Sequence, residues 1–386
     1  MPSCVRIGRR TPGQRSSEAT EFDFDATSLM RRMACLPTWP SALPRFSKRG
    51  GTVERRELLR LSLGALLSSA VGTAHSPASA KSATGAEDAV ASYRYNRERR
   101  FLDTAYGRIA HIDRGTGDAV LFLHGFPLSS FQWRGVIDRL SSGRRCIAPD
   151  LMGLGHTEVA ENQNIAPAAQ VGMITALLDA LSIQKVDLIA NDGGGVIAQL
   201  FMTSHRDRVR TALLTNCDVE TNSPPAALFP VIDLARNGLY ADLWLERWLH
   251  HKDIARSAKG LGGMCYSDPK QPTDTALDQY LGPLVSSSAR KDLINRYAVS
   301  LAPNALQDIE SELRECTVPT RIVWGMADTV FSTKNPDYLY GVLPQMMGIT
   351  RLRSAKLFFP EEHPDIIARE ARNLWELSSV RFFDNA

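Results

Sequence analysis

The sequence predicts an α/β protein in which a mostly parallel sheet is covered by helices, and three observations carry that prediction. Beyond about residue 92, short apolar runs bounded by turn residues alternate with amphipathic stretches. The run 119–123 is continuously apolar, as a strand buried on both faces requires. The alternation breaks once, over residues 223–302, where Trp, Tyr, Leu and Arg recur at helical spacing without strand runs. That interval reads as a helical cap inserted into the sheet domain. A chain of 386 residues suffices for one large domain with such an insertion.

In chain order, residues 101–114 read as two strands around a Tyr106-Gly107-Arg108 turn, followed by strands at 119–123 and 145–148. Val171, Ile174, Leu177, Leu178 and Leu181 share one helical face. A strand at 186–190, a helix at 196–202 and a strand at 209–214 complete the first part of the core. After Pro303 the pattern resumes with a strand at 321–324, a helix near 333–343, a strand near 350–358 and a last helix from about Pro364. The expected organisation is therefore a leader over 1–80, a Ser/Ala-rich linker over 81–100, a core over 101–222 and 303–386, and the cap over 223–302.

The leader carries most of the charge asymmetry. Residues 1–80 hold 12 Lys/Arg against 6 Asp/Glu, which leaves 33 against 36 in the rest of the chain. A mildly acidic body argues against a nucleic-acid partner. Arg55-Arg56 precedes a weakly apolar run over 61–71 and the small residues Ala78-Ser79-Ala80, an order that resembles a twin-arginine export signal. Export to the periplasm, or secretion, is the expectation, and a cytoplasmic location follows if the leader does not function. Met30 and Met33 are alternative starts. No run in the body approaches 18 apolar residues, so no membrane span is expected there. Cys146, Cys217, Cys265 and Cys316 show neither a bridge framework nor zinc-ligand spacing, and no metal is expected.

The sharpest local signal is Asn191-Asp192-Gly193-Gly194-Gly195, which leaves a strand and enters a helix. Small neighbours allow a tight turn that strains the central residue and lifts its side chain over the sheet edge. The same residues also suit a plain helix N-cap. Upstream, a strand ends in the loop His124-Gly125-Phe126-Pro127, whose Phe126 N–H would converge with that of Gly193 on a reacting oxygen. Downstream, Trp324-Gly325-Met326-Ala327-Asp328 puts an acid at the end of a strand.

Together with the Asp150–Thr157 loop, these segments resemble the α/β-hydrolase superfamily, nearest to epoxide hydrolases and haloalkane dehalogenases, over roughly residues 100–380. The resemblance implies an eight-stranded sheet with an inserted cap. It makes Asp192 the nucleophile and Asp328 the acid that orients a histidine, with Asp218 in reserve. A carboxylate is ionised at neutral pH and attacks an electrophilic carbon without a base, giving an alkyl ester that a histidine-activated water then hydrolyses.

The sequence departs from that family at the base. Leu357 stands where the histidine is expected, and the candidate base is the nearest histidine, His363, with His250 and His251 less favoured in the cap. Gly193 and Phe126 replace the Trp and Asn that hold a halide in dehalogenases, whereas epoxide hydrolases share the His-Gly-Phe-Pro loop. Epoxide hydrolases also use cap tyrosines, for which Tyr240, Tyr266, Tyr280 and Tyr297 are candidates. The expectation is opening of small hydrophobic epoxides, with dehalogenation as the alternative. A ligand-binding protein without turnover, or a lyase that forms no ester, is the alternative from another class. No phosphate-binding or dinucleotide motif is present in the sequence and no cofactor is expected; the oligomeric state stays open.

Overall fold

The computed structural model describes residues 77–384. The leader, and with it the export-signal reading, lies outside those residues up to position 76. Eight strands form one sheet in the order β1-β2-β4-β3-β5-β6-β7-β8: Arg100–Thr104, Gly107–Arg114, Ala119–Leu123, Arg145–Pro149, Val186–Asn191, Val209–Thr215, Thr320–Gly325 and Met346–Leu352, numbered β1 to β8. β2 runs antiparallel to β1 and β4, and every other pair is parallel.

Helices of eight residues or more are numbered α1 to α8: Pro77–Glu98, Pro167–Ala180, Gly193–Ser204, Phe229–Arg236, Asp274–Val285, Ser288–Ser300, Asn335–Val342 and Pro364–Asp384. Every residue of β3 and β5 is buried, so the central strands are covered on both faces, as a parallel sheet requires. Between Ala226 and Arg314 the chain forms only helices and turns.

The strand order reverses at β3, which pairs with β4 on one side and β5 on the other. Such a switch point opens a crevice at the carboxyl ends of the strands. Leu123 pairs with Ala190 and Asn191 with Thr215, which sets the loops that leave β3, β5 and β6 side by side. The residues singled out in the sequence sit on those loops.

Two expectations need correction. The stretch 81–100 is not a linker: α1 runs through it to Glu98, and Arg100 already begins β1. Its alanines favour helix, and its last turns are anchored. Tyr95 is fully buried, donates to the Ser130 carbonyl at 2.6 Å and meets Phe131 edge-on at 5.2 Å. The last strand is Met346–Leu352 rather than 350–358. Its partner β7 ends at Gly325 opposite Leu352, and beyond that pair the chain turns, with the Ala327 N–H donating to the Ala355 carbonyl at 2.9 Å. Leu357 consequently lies on a loop.

A buried ion cluster ties α1, the cap and the core. Arg134 bonds Glu361 at 2.7 Å and Asp88 of α1 at 3.1 Å, and the Tyr266 hydroxyl donates to the other Glu361 oxygen at 2.7 Å. Thr273, the N-cap of α5, donates to Asp88 at 2.6 Å. The side chains of Arg134 and Glu361 are 12% and 6% exposed, against 48% and 36% for the surface pair Arg94–Asp138. Removing one partner strands a buried charge, whereas a surface pair contributes little. Glu361→Ala is expected to destabilise the protein by about 3–5 kcal/mol in denaturant unfolding. Arg94→Ala is expected to change stability by less than about 1 kcal/mol, and equal losses would contradict this account.

Candidate active site

Asp192 occupies the turn from β5 into α3 with φ 53° and ψ −129°, a region that non-glycine residues adopt only under constraint. Close packing supplies the constraint. A Cβ on Gly194 would lie 2.3 Å from the Leu123 carbonyl oxygen, and one on Gly125 would lie 2.7 Å from Asp192 Oδ2. Only glycine lets the turn approach β3 and lets the β3 loop approach the carboxylate. The Phe126 N–H donates to Asp192 Oδ2 at 2.7 Å, and the Gly193 N–H also faces the carboxylate. The two donors named from the sequence therefore meet on the Asp192 side chain.

A polar brace that sequence reading missed fixes these loops. Gln132 accepts from the Gly125 N–H at 3.0 Å and donates to Asn191 Oδ1 at 2.7 Å. Asn191 in turn donates to Thr215 Oγ1 at 2.9 Å and to the Leu357 carbonyl at 3.1 Å. Asn191 was visible beside Asp192 in the sequence, but nothing there linked it to Gln132.

His124 is fully buried, with Nε2 accepting from the Leu151 N–H at 3.0 Å and Nδ1 at 2.9 Å from the Gly125 carbonyl. Both ring nitrogens are thus committed to loop backbone, and burial pushes its pKa down. It braces the loop and has no nitrogen to spare for a water beside Asp192. Pro127 follows Phe126 in that buried loop.

Three acids stand at the ends of adjacent strands. Asp192 follows β5, Asp218 follows β6 and Asp328 follows β7. Asp328 accepts from Asn216 Nδ2 at 2.6 Å and from the Val330 N–H at 2.8 Å. It holds Asn216 where the family pattern would have it orient a histidine. Asp218 is held by the Ser223 hydroxyl, while Gln199 donates to its carbonyl at 2.9 Å. Burial, then repulsion from Asp218 and Asp328, pushes the Asp192 carboxyl well above the usual range. Burial also raises Asp328, and lifts Asp218 to about 7.

The structure does not bring His363 to this site. It is half-buried on the turn between Phe359–Glu362 and α8, the following Pro364 packs against Gly135, and His363 is not among the residues that line the Asp192 cavity. Among the described residues, no histidine lines the Asp192 cavity or acts on its charge. The loop after β8 does reach the elbow, but it presents the buried side chains of Leu357 and Phe358. Position 357 is where the sequence placed it, and its chemistry is apolar.

The cap tyrosines divide into two pairs. Tyr266 and Tyr280 face Glu361 in the ion cluster. Tyr240 and Tyr297 flank Phe126 at ring distances of 5.8 and 5.6 Å, and both feel the Asp192 charge after burial has raised their pKa values. The atom nearest to a Cβ on Gly193 would be the Tyr297 hydroxyl, at 4.0 Å.

Asp192 and Asp218 line one cavity of about 20 Å³, with Phe126, Ser223, Leu228 and Tyr297 in its wall. A volume of that order holds a water molecule. A larger guest requires cap side chains to move.

Residues 118–249 match the family model for the α/β hydrolase fold. A haloalkane dehalogenase 2 from Mycobacterium tuberculosis is 25% identical over 298 residues, covering 71% of this chain and 93% of that protein. This chain has the α/β-hydrolase fold. An epoxide hydrolase 3 from Siraitia grosvenorii is 38% identical over 136 residues, covering 35% of this chain and 42% of that protein. The solved structure of the epoxide hydrolase CorEH without ligand superposes with a TM-score of 0.61 at 19% identity, over 72% of this chain and 98% of that one.

The pKa of Asp218 makes a prediction with a defined sign. Its folded value of about 7 exceeds the ~4 of an unfolded aspartate, so the folded state binds the proton more tightly. The resulting penalty is absent below about pH 4, grows as pH rises toward 7, and is complete above it. Asp218→Asn is expected to exceed the wild type in thermal stability at pH 8, by on the order of 2 kcal/mol, and to approach it at pH 4.5. A gap independent of pH would contradict this.

Proposed function

We propose that this protein opens small hydrophobic epoxides by attack of the Asp192 carboxylate, forming an alkyl ester on the chain. The observation that carries the reading is a carboxylate on a strained turn that accepts the Phe126 N–H at 2.7 Å, with Tyr240 and Tyr297 packed on Phe126 and close enough to feel its charge. Attack on an epoxide carbon breaks the C–O bond and leaves an alkoxide. Tyr240 and Tyr297 are suited to donate to that oxygen as its charge develops. Phe126, Val196, Leu228 and Leu301 supply apolar contact for the rest of the substrate.

Dehalogenation, which shares the first step, ranks second. Gly193 and Phe126 offer no side-chain N–H to a leaving halide. The buried Leu357 in the base position favours a further reading, a protein that takes up apolar electrophiles or ligands without turnover.

Intact-mass analysis of the full chain after exposure to 1,2-epoxybutane or 1-bromobutane, beside Asp192→Asn, tests the proposal. An adduct on Asp192 alone, or released diol, supports covalent opening; neither, over a broad panel, favours the binding protein. Tyr297→Phe is expected to slow reaction with the epoxide about tenfold or more while changing the bromoalkane rate little, because only the epoxide oxygen needs a proton donor. Equal losses on both substrates would remove the tyrosine from that role.

A further inference from the structure

Any ester on Asp192 must be cleared by a water, and no described histidine stands where it could activate one. Resting on the ester reading above, we propose that Asp218 acts as the general base: it draws a proton from a water in the cavity it shares with Asp192, and that water hydrolyses the ester.

Placement supports the assignment. Asp218 and Asp192 line the same cavity, whose volume of about 20 Å³ accommodates a water. The segment that carries Asp218 is tied to the elbow, because the Asp192 N–H donates to the Asn216 carbonyl at 2.8 Å. Gln199 spans the same two segments, donating to the carbonyls of Gly195 at 3.0 Å and Asp218 at 2.9 Å. The Ser223 hydroxyl and the Asp218 N–H hold the carboxylate itself. The titratable groups that face Asp218 are Asp192, Tyr297 and Cys217, and no cation is among them.

The chemistry balances. Before alkylation two buried carboxyls repel, and near neutrality they share a proton; the state that attacks has the charge on Asp192. Alkylation turns Asp192 into a neutral ester and leaves Asp218, which burial raises to about 7, as the ionisable acid of the pair. The water oxygen then bonds to the Asp192 Cγ while its proton passes to Asp218. The oxyanion so formed lies against the Phe126 and Gly193 N–H groups. Collapse breaks the ester C–O bond, the departing alkoxide takes the proton from Asp218, and Asp192 retains one oxygen from water. Burial lifts Asp218 to about 7, a value suited to proton transfer near neutral pH.

The deciding experiment follows the Asp192 adduct by mass spectrometry in the full chain, using 1,2-epoxybutane in water enriched in oxygen-18. Wild type is expected to form the adduct, clear it and acquire the label in Asp192. Asp218→Asn is expected to form the adduct at a similar rate and to clear it about 10²–10⁴-fold more slowly. Unchanged clearance in Asp218→Asn, or a wild-type adduct that persists at pH 8, overturns the assignment of Asp218 while leaving the nucleophile intact. No adduct and no diol in the wild type instead overturns the ester reading itself. Ser223→Ala keeps the test open if Asp218→Asn fails to fold. Loss of the hydroxyl that stabilises the Asp218 anion should move the pH midpoint of ester clearance upward; an unmoved midpoint counts against the proposal.

Discussion

A buried carboxylate with no cation beside it sets the terms for everything around it. Taking the Asp192 charge out of water is costly unless hydrogen bonds replace the lost solvation. The N–H groups of Phe126 and Gly193 are those bonds, and both must be held in place before any substrate arrives. Gly125 and Gly194 allow the approach, while Gln132 and Asn191 keep the β3 loop and the elbow in register. The reversal of strand order at β3 makes these contacts possible, because it puts the ends of β3 and β5 side by side.

The apolar residue at 357 changes the electrostatic character of the site. With no described histidine among their partners, Asp192 feels the charges of Asp218 and Asp328, while Asp218 and Asp328 are held by Ser223, Asn216 and backbone donors. Each is pushed up in pKa by burial. A group of carboxyls that cannot all ionise holds a proton near neutrality, which is the property that a proton-transfer step needs.

The cap is fastened to the core through the Arg134–Glu361–Asp88 cluster, to which α1 and Tyr266 contribute. The same cap lowers Tyr240 and Tyr297 onto Phe126 and leaves room for little more than a water above Asp192. A guest larger than a water needs cap side chains to move, while the ion cluster fastens the cap to the core beside Phe358. Stability and access are in tension in this arrangement.

By itself the sequence determined the sheet-and-helix alternation, the interval that breaks it, and the loops His124–Pro127, Asn191–Gly195 and Trp324–Asp328. Those features are local: apolar period, turn glycines and strand ends are written in neighbouring residues. It also located Leu357 at the position that lacks its histidine. Tertiary structure decided what depends on distant residues meeting. His363 is close to Leu357 in sequence yet absent from the Asp192 cavity, with the helical turn Phe359–Glu362 between them. The four cap tyrosines look alike in sequence, and only packing separates the pair facing Glu361 from the pair facing Asp192. The Ser/Ala-rich stretch before β1 reads as linker until Tyr95 is seen buried against Phe131. Asp218 moved from a reserve position to the wall of the Asp192 cavity for the same reason: a shared cavity is a property of several strand ends at once, and no one segment encodes it.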